Sequence, residues 1–173
     1  LDGIYENNCS SLNYSISRCF DHNFLNDPYA VAVRNRKDNT KTYLADFLNT
    51  TTSNPVRLLN LACGSCRELR ELFMQLSFTK KIHVTAVDWD KEGLEIASKN
   101  LAAINNDQIK IDFLNEDILE ILKSPNHMAN LKNQDVVYSI GLSDYLPDSI
   151  LKKVLSLMYS LLRESGLMLV SHK

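Results

Sequence analysis

Val56-Arg57-Leu58-Leu59-Asn60-Leu61 runs directly into Ala62-Cys63-Gly64-Ser65-Cys66-Arg67-Glu68. The first stretch is a short apolar run, and a turn with one glycine follows it. Leu69, Leu72, Phe73 and Leu76 then recur at helical spacing. That is a strand, a tight turn and a helix. The same rhythm repeats downstream. Ile82 to Val87 reads as a strand, and Leu94, Ala97, Leu101 and Ile104 mark a helix. Ile109, Ile111 and Phe113 alternate as a strand does, and Asp117 to Leu122 reads as a short helix. A polar loop over 123–134 contains Pro125. Asp135 to Ile140 is a further strand, Asp148 to Arg163 a long helix with Gly166 as its C-cap, and Leu167 to Val170 a last strand. Strand alternating with helix predicts an α/β fold with a doubly wound, mainly parallel sheet and right-handed crossovers.

The region before Val56 reads differently. A helix is expected from Leu12 to Leu25. Asp27-Pro28 then starts a second one that runs to Leu48. Its middle, Arg34-Asn35-Arg36-Lys37-Asp38-Asn39, is polar enough to read as a solvated face. Residues 1–55 are therefore expected to form a helical lid or cap, and 56–173 a ligand-binding core.

Composition limits the function classes. The chain has 173 residues, 45% of them hydrophobic, and a formal net charge of −2. That is ordinary globular composition without the basic excess of a nucleic-acid binder. No apolar run is long enough for a membrane span, and no leader pattern precedes the helices. A cytoplasmic setting with reduced thiols is expected for Cys9, Cys19, Cys63 and Cys66. Cys63 and Cys66 make a single C-x-x-C. With no second pair and scattered histidines, no metal site is expected.

In a doubly wound sheet, ligands bind beyond the carboxyl ends of the strands. Gly64 sits at the first such end and permits close backbone approach. Asp88 follows the second strand, where an acid can accept from a ribose diol, or can cap the next helix. Trp89 beside it offers a flat apolar face for a purine, or core packing. Asp117 and Ile118 follow the third strand, where Asp117 can accept from an exocyclic amine or cap the short helix. After the fourth strand come Ser139, Ile140, Gly141, Asp144 and Tyr145.

From Val56 to Val170 the pattern resembles a class I S-adenosylmethionine-dependent methyltransferase. That family's first loop reads acid-x-Gly-x-Gly-x-Gly. Here the matching positions are Asn60, Ala62, Gly64 and Cys66, so the central glycine alone is kept. Tyr138 to Asp148 is similar to a stretch in bacterial proteins that make 3-hydroxypalmitic acid methyl ester, an extracellular signal. The resemblance implies a Rossmann-like sheet and S-adenosylmethionine as cofactor. It implies cofactor contacts from Leu61, Ala62, Cys63, Gly64, Ser65, Asp88, Trp89, Asp117, Ile118, Ser139, Ile140 and Gly141. Asp144, with Tyr145 beside it, is the implied general base for a hydroxyl or amine acceptor; a carboxylate acceptor needs none. Tyr14, Arg18 and Arg34 are candidates to hold a small-molecule acceptor such as a fatty acid.

The family continues into an antiparallel hairpin after strand five. The sequence is therefore expected to be truncated there, with a bare edge that permits a homodimer. Other readings are a cofactor-binding module without turnover and a nicotinamide dehydrogenase. The dehydrogenase needs Gly-x-Gly-x-x-Gly, and Ala62, Gly64 and Arg67 stand at those positions.

Overall fold

The computed structural model describes residues 2–7, 16–77, 79–104, 106–124 and 130–171. Three helices come first: α1 (Asp2–Glu6), α2 (Ile16–Asn26) and α3 (Pro28–Thr50). Asp27 starts α3 as the sequence implies. Its carboxylate accepts from the Tyr29 amide at 2.8 Å, and Pro28 occupies the first turn, where no amide partner is needed. Then follow β1 (Val56–Leu61), α4 (Arg67–Gln75), β2 (Ile82–Asp88), α5 (Lys91–Ala102), β3 (Ile109–Asn115), α6 (Ile118–Lys123), β4 (Gln134–Ile140), α7 (Asp148–Leu161) and β5 (Leu162–Ser171). A short 3₁₀ turn, Leu142–Tyr145, lies between β4 and α7.

The strands form one parallel sheet in the order β3-β2-β1-β4-β5. The order reverses between β1 and β4, so their carboxyl ends flank a natural crevice. Both faces of the central strands are covered, so β1 and β4 are buried almost throughout, polar residues included. On one face Leu58, Val84, Val136 and Tyr138 pack with Leu44 of α3, Leu69 and Leu72 of α4 and Ala97 of α5. On the other, Leu59, Leu61, Val87 and Val137 pack with Ile121 of α6 and Val154, Leu157 and Met158 of α7.

Two expectations need correction. Helix α7 stops at Leu161, and Gly166 lies inside β5 instead of capping the helix. The β4–β5 register shifts between Gln134 and Val136, which face Leu162 and Leu167. A Cβ on Gly166 would stand 2.9 Å from Leu162 and 3.1 Å from the carbonyls of Arg163 and Gln134. Close backbone approach at a bulge requires this glycine. The polar middle of α3 is also only in part a solvated face: Asn35, Asp38 and Asn39 are exposed, but Arg36 and Lys37 are not. Lys37 is buried and pairs with Glu71 of α4, and Arg36 pairs with Asp144.

Leu59 is fully buried between the sheet and α7. Leu59→Ala is expected to cost about 2–5 kcal/mol in urea denaturation, whereas Lys110→Ala, on an exposed ion pair, is expected to cost under about 1 kcal/mol. Equal losses would contradict this placement of the core.

Candidate functional site

The loop after β1 takes its shape from left-handed residues at Ala62, Gly64 and Cys66, with φ of 55°, 53° and 51°. The Cys63 amide donates to the Val87 carbonyl at 3.0 Å, and the Cys66 amide to the Cys63 carbonyl at 3.1 Å. A Cβ added to Gly64 would meet nothing within 4 Å. Its dihedral favours glycine, and the space above it is open to a ligand. The Gly64 amide donates to Asp88 Oδ2 at 2.8 Å, and the Asp90 amide to Asp88 Oδ1 at 3.0 Å. Asp88 does not cap α5; Asp90 does, accepting from the Glu92 amide at 3.0 Å. Each Asp88 oxygen accepts one of these amides and keeps a further lone pair for a donor such as a hydroxyl. The chemistry of this loop and carboxylate therefore fits the ribose end of a nucleoside.

A cleft of about 220 Å³ opens over the loop. It gathers Ala62, Cys63, Gly64 and Ser65 with Ile140 of β4 and Tyr5 of α1. The other candidate residues lie around it. Leu61 is buried in its strand, and Ser139 is buried on the opposite face of β4 from Tyr138. Asp117 caps α6, accepting from the Leu119 amide at 2.8 Å, and Ile118 opens that helix. Trp89 is 75% exposed and takes no part in the core, while its carbonyl is held by Asn115 at 2.9 Å. Gly141 adopts φ 88° beneath the Arg36 guanidinium. Asp144 is buried against Arg36 Nη1 at 2.7 Å, and Tyr145 is exposed. Arg34 is half-buried on α3, its Nη1 without a partner among the described residues. Tyr14 and the side chain of Arg18 lie outside the described residues.

Cys63 and Cys66 are free, buried thiols. A hydrogen bond with Cys63, together with burial, holds the Cys66 thiol well above its usual range. Among the described residues no His, Cys, Asp and Glu side chains cluster as a metal site. Glu71 ties α3 to the loop helix through Lys37 and Lys41, at 2.6 and 3.1 Å. Burial alone would raise its pKa, but the two lysines outweigh that and lower it.

One constellation was not legible in the sequence. Glu68, in the first turn of α4, is buried, and its Oε1 accepts from Asn60 Nδ2 at 3.0 Å and from the Tyr138 hydroxyl at 2.9 Å. Burial pushes its pKa up to about 7 despite both hydrogen bonds. Asn60 Oδ1 is buried without a donor among the described residues, so a proton on Glu68 adds one to a cluster short of donors. Burial and the facing Glu68 also raise the Tyr138 phenol well above its ordinary value, so it stays a donor. Only the fold brings these residues of β1, α4 and β4 together.

Comparison with known proteins places these features in a wider set. Residues 58–166 match a family described as a methyltransferase domain. No curated protein sequence matches the chain. Among solved structures, a possible exported protein from Bordetella parapertussis is 18% identical, with 94% of this chain and 49% of that one covered, at a TM-score of 0.67. A SAM-dependent methyltransferase from Thiobacillus denitrificans, solved with S-adenosyl-L-homocysteine, is 20% identical over 76% of this chain and 47% of that one, at 0.53. A SAM-dependent methyltransferase from Agrobacterium tumefaciens is 16% identical over 80% and 45%, at 0.59. At these identities the likeness is one of fold. The chain spans about half the length of these structures. No helix among its described residues is long and apolar enough to cross a membrane.

Glu68 makes folding stability depend on pH. Its pKa rises from 4.5 to about 7 on folding, so in that window the folded state holds a proton that the unfolded chain has lost. Stability must then fall as pH rises from about 4.5 to about 7, by on the order of 3 kcal/mol. Glu68→Gln is expected to match the wild type near pH 4.5 and to exceed it above pH 7 in denaturant titrations. Parallel pH profiles for the two proteins would contradict this.

Proposed function

The chain belongs to the methyltransferase domain family, and we propose that it binds S-adenosylmethionine and transfers its methyl group to a small-molecule acceptor. The observation that carries this reading is the pairing of Gly64 with Asp88. An open, left-handed glycine and a buried acid meet beyond the adjoining carboxyl ends of β1 and β2, beside the switch point of the sheet, where nucleosides bind in this architecture. The likeness of this chain's fold to solved SAM-dependent methyltransferases supports it.

When bound, the cofactor supplies an electrophilic methyl group on a sulfonium. The chain's own work is positioning and exclusion of water. Asp88 would accept from the ribose hydroxyls while its amide donors hold it still. Trp89 presents an exposed face for the adenine, and Asp117 at the next strand end can accept from its amine. Ala62 to Ser65 and Ile140 would line the methionine side of the cleft. Tyr5 places α1 over that cleft, and α1 to α3 serve as its cover in this reading. Asp144 holds Arg36 in the folded chain, so in this reading it positions a cation rather than taking a proton. Tyr145 stands exposed beside it and can contact an acceptor. A cytoplasmic setting, in which thiols such as Cys63 and Cys66 stay reduced, goes with this reading. The likeness of Tyr138 to Asp148 to the fatty-acid ester proteins makes 3-hydroxy fatty acids the first acceptors to screen.

Trp89 is the only tryptophan in the chain, so its fluorescence reports directly on the proposed adenine contact. S-adenosylhomocysteine is expected to quench it saturably. Trp89→Phe should bind the same molecule nearly as well, and Trp89→Ala about tenfold more weakly, the weight of one aromatic stack. Binding with unchanged fluorescence, or full affinity in Trp89→Ala, would remove Trp89 from the site.

A further inference from the structure

Arg36 reaches from α3 onto the turn after β4. Its side chain keeps 10% of its exposure, and Nη1 bonds Asp144 at 2.7 Å. A Cβ at Gly141 would stand 2.5 Å from Nη2, so the glycine makes room for the guanidinium. An arginine offers five N–H donors in a planar fork. Here Nε is buried with no acceptor among the described residues. A cation seated in the fold with unused donors marks a place where an acceptor of hydrogen bonds belongs.

A second group on the same face is in the same condition. Ser171, at the end of β5, has a buried hydroxyl without a partner among the described residues. It is the register partner of Ile140, so the two side chains share a face of the sheet. That face carries α3: Tyr138, two residues from Ile140, packs in the cluster that holds Leu44. Ile140 in turn lines the cleft over Gly64. Arg36, Ser171 and the cofactor loop thus converge around the carboxyl end of β4. Ser139 also has a hydroxyl without a partner among the described residues, but it points to the opposite face.

We propose that Arg36 and the Ser171 hydroxyl form the subsite for a carboxylate on the methyl acceptor. The proposal rests on the methyltransferase reading and names its substrate class, a small carboxylate-bearing molecule. A guanidinium fork matches the two oxygens of a carboxylate, and the serine hydroxyl can donate a further bond. Asp144 fixes the fork from its other side. A neutral acceptor of the same shape would leave the guanidinium donors unmatched, so the site discriminates by charge.

The test is calorimetric titration of the chain, saturated with S-adenosylhomocysteine, with straight-chain carboxylates from butanoate to dodecanoate and with their primary amides. At least one carboxylate is expected to bind, and its amide to bind at least about tenfold more weakly. Arg36→Gln should weaken the carboxylate by at least about tenfold, with Arg36→Lys in between, while affinity for S-adenosylhomocysteine holds. Because Arg36→Gln removes the cation that faces the buried Asp144 carboxylate at 2.7 Å, Arg36→Gln/Asp144→Asn is measured beside it as a neutral pair. Absence of carboxylate binding, equal binding of the amides, or unchanged affinity in a folded Arg36 variant would each overturn the proposal. Should S-adenosylhomocysteine itself fail to bind, the cofactor reading falls, and the carboxylate series titrated into the free chain still decides the subsite.

Discussion

The hydrogen bond from the Gly64 amide to the Asp88 carboxylate is the link on which the rest of the site depends. Parallel pairing of β1 with β2 brings Leu61 beside Val87, so the residues just beyond each strand must meet. What they become is then a matter of chemistry. A glycine in a left-handed turn can aim its amide at a carboxylate without a side chain in the way. The carboxylate takes a second amide from Asp90, which frees Asp90's own side chain to cap α5. One short contact thereby sets the loop, the acid and the start of the following helix.

The loop departs from the glycine-rich pattern it resembles, yet its backbone is left-handed at the departing positions. Ala62 and Cys66 stand where that pattern has glycine, and both keep the left-handed conformation. Such a dihedral costs an L-residue roughly 1–2 kcal/mol. The surroundings hold it there through the Cys63 amide on Val87 and the Asn100 side chain on the Ser65 carbonyl at 3.1 Å. The missing acid of the pattern has a similar resolution. Asn60 occupies its position, and its amide reaches a carboxylate that α4 supplies as Glu68. The carboxyl group here belongs to the helix and lies within hydrogen-bond reach of the strand residue. The result is a titratable group at the foot of the loop helix.

The fold was largely legible because period carries it. Apolar runs of strand length alternate with helical stripes, and Asp27-Pro28 marks the start of α3 without help from tertiary contacts. Gly64, Asp88 and Asp117 were legible as strand-end positions, since the topology of a parallel sheet sends ligands there. The misreadings share one cause. Arg36 and Lys37 look like solvent-facing charges until Asp144 and Glu71 arrive from distant segments. Gly166 looks like a cap until the β4 backbone closes on it. Glu68 looks like an ordinary first-turn acid until Asn60 and Tyr138 surround it. Local pattern shows what a residue is, and only the packed sheet shows its partner.

The most direct measurement of the central claim is titration calorimetry of S-adenosylmethionine and S-adenosylhomocysteine against the wild type and Asp88→Ala. The account predicts micromolar binding to the wild type and a loss of at least about tenfold in the variant, the weight of hydrogen bonds to a charged group. Circular dichroism would confirm that both proteins are folded. No binding by the folded wild type, or equal binding by Asp88→Ala, would contradict it.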